Sequence, residues 1–288
     1  MARKKQLIIP IFIPHLGCPH RCVFCNQKNI TGEENPSKIQ DTRFKMQDSE
    51  KITETINSYL STWKGRGRVE VAFYGGSFTG LDPEVQGGVL MMAYKFIKEG
   101  KVDFLRVSTR PDYITEDGLT LLQRYEVRTV ELGVQSMMDD VLMRAGRGHT
   151  VKDVYEAMKA LKRRGFNVGI QIMPGLPGDT RETILFTTKE VIRLHPDFVR
   201  IYPTVVIRDT PLEQLYLKGL YRPWPLEDMV DVCREIATLF NKADIRIIRF
   251  GLQATEGLRR ALVAGPYHPS FRQLVELKTQ NSRFNLES

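Results

Sequence analysis

Short runs of Val, Ile and Phe recur along the chain and alternate with segments that carry apolar residues at helical spacing. Near-continuous apolar runs of this length are typical of buried parallel strands. The candidate strands are 7–14 (LIIPIFIP), 69–74 (VEVAFY), 104–109 (FLRVST), 127–134 (VRTVELGV), 167–173 (NVGIQIM) and 198–207 (FVRIYPTVVI). A further strand-like run, 245–253 (IRIIRFGLQ), follows a helical segment late in the chain.

Helices are predicted between these strands, and most begin with residues suited to a first turn. The predicted helices are 48–63, 82–98, 115–124, 150–164, 179–194 and 226–241. Asp82-Pro83 and Thr115 are start signals, because an Asp or Thr side chain caps free amides and proline is tolerated in the first turn.

The alternation of strands and helices determines the expected fold class. Six β-α repeats predict an α/β protein, a partial (β/α)6 barrel of parallel strands with right-handed crossovers. An open doubly wound sheet is the alternative on pattern alone. We expect residues 1–240 to form the barrel and residues 241–288 to form a C-terminal extension packed on it.

Composition indicates a soluble globular protein of 288 residues, 42% hydrophobic and 26% charged. No apolar run approaches the roughly 18 residues that a spanning helix needs. The first 18 residues imitate a lipoprotein signal, but Pro10, Pro14 and His15 interrupt the apolar stretch. We therefore predict a strand there and a cytoplasmic protein without membrane partners.

The cations exceed the acids by 42 to 34, and the excess is uneven. Residues 1–28 carry five cations and no acid, and residues 144–164 carry seven cations and two acids. Such segments attract polyanions such as RNA, and ordinary surface charge is an equally good explanation.

Unusual loop motifs follow the carboxyl ends of the predicted strands. In parallel β/α folds this edge of the sheet is where ligands bind. The motifs are the cysteine cluster 18–25, Gly75-Gly76-Ser77, Thr109-Arg110, the end of GVQS at Gln135, the PGLPG loop 174–178, and Tyr202-Pro203. Their common placement predicts one ligand site built from several loops.

Cys18, Cys22 and Cys25 lie within eight positions, whereas Cys233 falls in a distant predicted helix and is interpreted as core packing. Structural zinc and a complete ferredoxin cluster both need four ligands. Three thiolates on a [4Fe–4S] cluster leave one iron open to an external ligand. Zinc and free thiols are the weaker alternatives.

The CxxxCxxC spacing with Phe24 before the last cysteine resembles the signature of radical S-adenosylmethionine enzymes. The resemblance implies a [4Fe–4S] cluster on the three cysteines and S-adenosylmethionine bound at its open iron. It also implies a 5′-deoxyadenosyl radical and an external electron donor such as flavodoxin or ferredoxin.

The same resemblance assigns cofactor-binding roles to loop residues and no catalytic residue. The backbone of Gly75-Gly76 would hold the methionine amine, and Ser77 stands where many members have an acid. Thr109, Arg110 and Gln135 stand where related enzymes place groups on the ribose and carboxylate, and Arg110 would meet the carboxylate as a charge-assisted pair. The remaining set, implied only by the resemblance, is Phe24, Thr109, Arg110, Gln135, Gln171, Met173 and Tyr202, with Met173 and the backbone around Tyr202 along the adenine.

Four longer motifs are similar to the radical core of the elongator catalytic subunit family, which modifies wobble uridine in tRNA. They are VELGVQS (130–136), GRGHT (146–150), MPGLPGDT (173–180) and RIYPTVVIRDTPLEQLYLKGLYRPW (200–224). That family spaces its first two cysteines more widely, and its acetyltransferase domain is not expected in the roughly 35 residues after Gln253. The compact cysteines and GVQS also resemble the oxygen-independent coproporphyrinogen oxidase group.

Three functions follow from these observations. The first is a radical enzyme acting on RNA, with a tRNA uridine as target, and hence a transferase of tRNA modification. The second is the same chemistry on a small metabolite or porphyrin-like molecule. The third is a non-enzymatic haem or iron–sulfur binding protein.

Overall fold

The structure is a computed structural model that describes residues 6–13, 18, 21–26, 46–252 and 255–284. The N-terminal cations Arg3, Lys4, Lys5 and Lys28 lie outside the described residues. The strands are β1 Leu7–Phe12, β2 Val69–Tyr74, β3 Phe104–Thr109, β4 Val127–Gln135, β5 Asn167–Ile172, β6 Phe198–Ile201, β7 Val206–Ile207, β8 Arg246–Phe250 and β9 Leu262–Ala264.

Ten α-helices lie between and after these strands in the described part of the chain. They are α1 Met46–Thr62, α2 Pro83–Lys98, α3 Glu116–Arg124, α4 Asp139–Arg144, α5 Val151–Arg163, α6 Arg181–Arg193, α7 Pro211–Leu217, α8 Leu226–Lys242, α9 Glu256–Ala261 and α10 Phe271–Phe284. Short 3₁₀ turns occupy Phe78–Gly80 and Pro111–Tyr113. No helix of the described residues is both long and apolar enough to cross a membrane.

The main sheet has seven strands in the order β1-β2-β3-β4-β5-β6-β8. Five of its neighbouring pairs have a parallel register. Sequential order of parallel strands with intervening helices is the order of a (β/α) barrel, so the predicted fold class is confirmed. The seventh strand, β8, comes from the run that we assigned to the C-terminal extension.

The helix starts follow the predicted caps. The Asp82 carboxylate accepts a hydrogen bond from the Glu84 amide at 2.9 Å, and Pro83 occupies the first turn. The Thr115 hydroxyl accepts from the Gly118 amide at 3.1 Å. These hydrogen bonds satisfy amides that have no partner inside the helix. Because the capping residues lie next to the helix in sequence, the helix starts could be predicted.

The predicted strand 198–207 is broken in the structure. β6 ends at Ile201, and the Thr204 amide donates instead to the Pro174 carbonyl at 2.9 Å. Pro203 has no amide hydrogen, so the strand ladder cannot continue through it. β7 then pairs antiparallel with β9 in a separate two-stranded sheet.

The chain divides into two compact units. Unit one comprises residues 1–19, 33–132 and 156–168, and unit two comprises 20–32, 133–155 and 169–288. In unit one the buried core includes Val71, Phe73, Leu105 and Val107 on adjacent strands. In unit two it includes Val199 and Ile201 on β6 and Ile236 and Phe240 on α8.

Candidate functional site

A turn in unit two carries two of the three clustered cysteines. The Cys25 amide donates to the Cys22 carbonyl at 3.1 Å and closes the turn. Val23 anchors it twice, since its amide donates to the Ala145 carbonyl at 3.0 Å and its carbonyl accepts from the Leu212 amide at 2.8 Å. The turn is therefore held by the C-terminal end of α4 and the first turn of α7.

Side-chain packing fixes the same turn. Val23 and Phe24 pack against two buried clusters, one of Val141, Ala145 and Leu176 and the other of Val206, Leu212 and Tyr221. Gly146 follows α4 with a φ of +64°, and a Cβ there would lie 3.1 Å from the Arg21 carbonyl. Glycine is required at position 146 for two reasons: its backbone is left-handed, and the cysteine turn passes too close to leave room for a side chain.

The Cys22 thiol has a cationic neighbour that sequence reasoning did not assign. Arg147 Nη1 donates to Cys22 Sγ at 3.1 Å, and Nη2 donates to the Gly133 carbonyl. Both side chains are buried, with Arg147 at 6% and Cys22 at 7% exposure. A permanently charged guanidinium at this distance offsets the negative charge that a thiolate ligand carries. The sequence feature that could have indicated this role is the arginine between two glycines in the GRGHT motif.

The environment of Cys22 fits an iron–sulfur cluster. Its sulfur is held in a fixed turn beside a hydrogen-bond donor, as cluster ligands commonly are. Cys18 is half-buried in unit one, and its neighbours 14–17 and 19–20 lie outside the described residues. Among the residues that the structure describes, no group of three Cys, His, Asp or Glu side chains is gathered as a metal site. Cluster binding by Cys18, Cys22 and Cys25 stays a prediction.

In unit one the loops after β2 and β3 form a hydroxyl network. Gly75 has a φ of +107°, which turns the chain sharply after the strand. The Ser77 and Thr109 hydroxyl oxygens are 2.9 Å apart, and those of Thr79 and Thr109 are 2.5 Å apart. The Arg110 amide donates to the Ser77 hydroxyl at 3.3 Å. The structure thus brings predicted residues of two separate loops together.

The Arg110 side chain is buried and engaged within its own loop. Its Nε and Nη2 donate to the two carboxylate oxygens of Asp112 at 2.9 and 2.8 Å. A cofactor carboxylate would compete with Asp112 for this bidentate geometry. Gly76 lies in the preceding loop, beside Ser77 and Ser108. The cofactor roles of Gly76 and Arg110 stay predictions.

Gln135 ends β4 in unit two with two unusual features. Its φ of +71° is left-handed, which is uncommon for a residue with a side chain. Its buried Oε1 has no hydrogen-bond partner among the described residues. Strain combined with an unsatisfied buried acceptor is typical of ligand sites, which supports the prediction for Gln135.

Three further predicted residues line the neighbouring strand ends of unit two. The Met173 amide donates to the Gln135 carbonyl at 2.9 Å, and the Tyr202 amide donates to the Ile172 carbonyl at 3.0 Å. Met173 packs on the same buried cluster as Phe24. Gln171 is half-buried on β5. The structure therefore brings Gln135, Gln171, Met173 and Tyr202 to adjacent strands, and their cofactor contacts stay predictions.

Asp179 holds the PGLPG loop and was interpreted from sequence only as a helix start. Its carboxylate accepts from the Gly175 amide at 2.9 Å and from the Thr183 hydroxyl at 2.5 Å. Burial raises the pKa of Asp179 to about 6, although these hydrogen bonds act in the opposite direction. The Tyr221 hydroxyl donates to the Gly175 carbonyl at 2.7 Å and fixes the loop from its other side.

A buried charge cluster in unit one was also missed. Arg106 donates to Glu70 at 2.6 Å and to Glu131 at 2.7 Å, and the Tyr74 hydroxyl donates to Glu131 at 3.1 Å. Burial by itself lowers the pKa of Arg106, but the two carboxylates raise it above its usual value. Each of these charged residues stands alone in an otherwise apolar strand, so the hydrophobic pattern predicted buried strands without indicating a charge cluster.

Comparison with protein families identifies the relatives of this chain. A model of the Radical SAM superfamily matches residues 12–191, and a model of the Radical SAM C-terminal domain matches residues 196–281. The tRNA uridine(34) acetyltransferase of Methanocaldococcus jannaschii is 29% identical over 246 residues. That match covers 75% of this chain but only 45% of the relative, so the chain spans about half of the relative's length.

Solved structures share the fold. The Elp3 of Methanocaldococcus infernus with an N-terminal deletion has a TM-score of 0.75 at 21% identity, over 96% of this chain and 63% of that one. Escherichia coli HemN, a coproporphyrinogen III oxidase, has a TM-score of 0.58 at 19% identity, over 83% and 53%. TsrM of Kitasatospora setae, a radical S-adenosylmethionine methyltransferase solved with a bound [4Fe–4S] cluster, has a TM-score of 0.52 at 16% identity, over 73% and 36%. The three resemblances stated from sequence, to the radical S-adenosylmethionine enzymes, the elongator family and the coproporphyrinogen oxidase group, are confirmed.

Proposed function

Because the chain belongs to the Radical SAM superfamily, we propose that it cleaves S-adenosylmethionine reductively and acts on RNA, with a tRNA uridine as target. Cys18, Cys22 and Cys25 would hold the [4Fe–4S] cluster, and a flavodoxin or ferredoxin would reduce it in the cytoplasm. The observation that carries the proposal is the anchored cysteine turn with Arg147 hydrogen-bonded to Cys22.

When bound, the cluster supplies the electron that splits S-adenosylmethionine into methionine and a 5′-deoxyadenosyl radical. This chain's residues position the reactants and exclude water. Arg147 orients the Cys22 thiolate, and the anchored turn keeps that thiolate at the cluster site. Gln135 offers an acceptor without a partner in the described structure, suited to a hydroxyl or amine of the nucleotide.

The RNA substrate is supported by the printed function of the archaeal relative and by charge. Helix α5 exposes Lys152, Lys159 and Lys162, which lie in the second of the two cation-rich segments. Lysines at such positions bind phosphates without reading sequence. The proposal covers the radical step only, because the matched region is less than half of a relative whose name describes acetyl transfer. We also propose that residues 1–240 form the barrel and that residues 241–288 form a C-terminal extension, which contributes β8 to the edge of the sheet.

Anaerobic reconstitution with iron and sulfide, followed by dithionite and S-adenosylmethionine, tests the chemistry. We expect 5′-deoxyadenosine and methionine from the wild type and neither from Cys22→Ala. Incubation with total tRNA, read by nucleoside mass spectrometry, tests the substrate. Absence of 5′-deoxyadenosine contradicts the enzyme; unchanged nucleosides together with retention on tRNA that does not weaken as salt rises contradict the RNA target. A chromophore that copurifies with the protein would favour a porphyrin-like substrate.

A further inference from the structure

The two faces of the sheet differ across β5, β6 and β8 in unit two. On one face Ile170, Ile172, Val199 and Ile201 are completely buried. On the other face Phe198 is buried near the start of β6, but the side chains toward the carboxyl ends are half-buried and polar. These polar residues are Gln171, Arg200, Tyr202 and Arg249. Parallel sheets are normally apolar on both faces, so a half-open polar face needs another explanation.

The strand register places three of these side chains in one row. Gln171 is the partner of Arg200 across β5 and β6, and Arg200 is the partner of Arg249 across β6 and β8. Partners in a parallel pair project from the same side of the sheet, about 5 Å apart. Arg200 Nη1 donates to the Tyr202 hydroxyl at 3.4 Å, which aims this guanidinium toward the carboxyl end of β6.

Arg200 and Arg249 stand at directly opposite positions, and neither loses its charge at any physiological pH. Arg249 Nε donates to the Gly251 carbonyl at 3.1 Å, and within the described residues Arg249 has no ion pair. Partial burial strengthens their attraction for an anion because water screens it less. An anion bound between the two guanidinium groups would be attracted by both charges.

We propose that Arg200 and Arg249 bind a phosphate group of the substrate. This inference rests on the proposed function, since it names what the substrate carries. Phosphate is favoured because two planar guanidinium groups match its several oxygens, each with two parallel hydrogen bonds. The phosphate belongs either to the RNA backbone or to a single nucleotide, and the binding chemistry is the same.

Thermal unfolding with inorganic pyrophosphate tests the site without any catalysis. The variants are Arg200→Gln and Arg249→Gln, and the control is Arg246→Gln, an exposed arginine three positions before Arg249 on the same strand. At constant ionic strength we expect pyrophosphate to raise the melting temperature of the wild type and the control, and to raise it less in either site variant. An equal rise in all four proteins reflects general salt effects and overturns the proposal, as does no rise in the wild type.

Binding of two probes identifies the source of the phosphate. We expect Arg249→Gln to weaken binding of an anticodon stem-loop RNA, of uridine 5′-monophosphate, or of both, roughly tenfold to a hundredfold against Arg246→Gln. Loss for RNA alone indicates a backbone phosphate, and loss for the monophosphate indicates the nucleotide's own. Unchanged binding of both probes overturns the inference. Arg249→Lys keeps the positive charge but loses the two parallel donors of the guanidinium. Its affinity should therefore lie between those of Arg249→Gln and Arg246→Gln.

This test separates the inference from the proposed function. A wild type that forms 5′-deoxyadenosine but shows no phosphate response contradicts the arginine site only. A wild type that responds to phosphate through Arg249 but forms no 5′-deoxyadenosine contradicts the radical chemistry only.

Discussion

The loops of unit one and the strand ends of unit two satisfy their polar groups differently. In unit one Ser77, Thr79 and Thr109 bond to one another, and Arg110 bonds to Asp112. In unit two Gln135 Oε1, Arg147 Nε and Thr204 Oγ1 are buried without hydrogen-bond partners among the described residues. Gln86 Oε1 on α2 of unit one is also buried without a partner among the described residues. Since unsatisfied buried groups cost free energy, the hydroxyl network stabilises the loops of unit one, whereas the three atoms of unit two are suited to a ligand.

The largest effect is expected from the cysteines. Cys22→Ala should remove the iron and sulfide of the reconstituted protein and abolish 5′-deoxyadenosine formation, because a cluster cannot keep its place with two thiolates. The control is Cys233→Ala, a fully buried thiol in α8 whose pKa is raised by burial. Iron and sulfide analysis with visible absorption checks this. Equal iron loss in both variants would mean that the three-ligand assignment is wrong.

The next effect is expected from Arg147. Arg147→Gln removes the charged donor to Cys22, so we expect about 10- to 100-fold less cluster binding or activity, as for other groups that orient metal ligands. The midpoint potential should also fall, because a hydrogen bond to sulfur stabilises the reduced cluster. Redox titration followed by electron paramagnetic resonance measures it. Arg144→Gln, from the same cation-rich segment, is the control, and a potential shift of the same size there would refute a specific role.

Asp179 gives a pH-dependent prediction for unit two. Its pKa is raised from 3.8 to about 6 in the fold, so the native state binds more protons than the unfolded chain between these values. Stability from this group is present below about pH 4 and is lost as pH rises through about 6, by up to about 3 kcal/mol.

Asp179→Asn cannot ionise, so its unfolding free energy relative to the wild type should increase from pH 4 to pH 6 and stay constant above pH 7. Urea unfolding at several pH values measures the difference. A difference that does not change with pH would show that Asp179 titrates normally.

The smallest effect is expected in the unit-one network. Thr109→Val keeps the shape but removes a hydroxyl with three hydrogen-bond contacts, and we expect a loss of about 1–3 kcal/mol of unfolding free energy. Thr120→Val, at an exposed hydroxyl on α3, should cost less than about 0.5 kcal/mol. Equal losses in urea unfolding would mean that the network adds nothing to folding.

Helices and strands could be predicted from local sequence signals, whereas the contacts between them could not. The caps at Asp82 and Thr115 act within a few residues, so their helices could be located from sequence. The break after Ile201 was missed because the apolar run continues through Pro203. Parallel pairing of β8 depends on a partner nearly 50 residues away, which a pattern along the chain does not encode.

The candidate site was predictable in residue type and less so in partners. The cysteines and Gln135 were identified through motifs, and the strain at Gln135 agrees with that choice. Arg147 lies 125 positions from Cys22, so only the fold reveals their contact. Arg110 shows the opposite case, since its guanidinium donates to Asp112, which is only two positions away in the sequence.

The small β7–β9 sheet makes the late part of the chain necessary to the rest. Ile207 pairs with Leu262, and Val205 and Ile207 share a buried cluster with Leu258 and Ala261. A shortened version ending before α9 would leave β7 as a bare edge and uncover this apolar surface. Bare edges recruit other chains, so such a version should precipitate during expression before any question of activity arises.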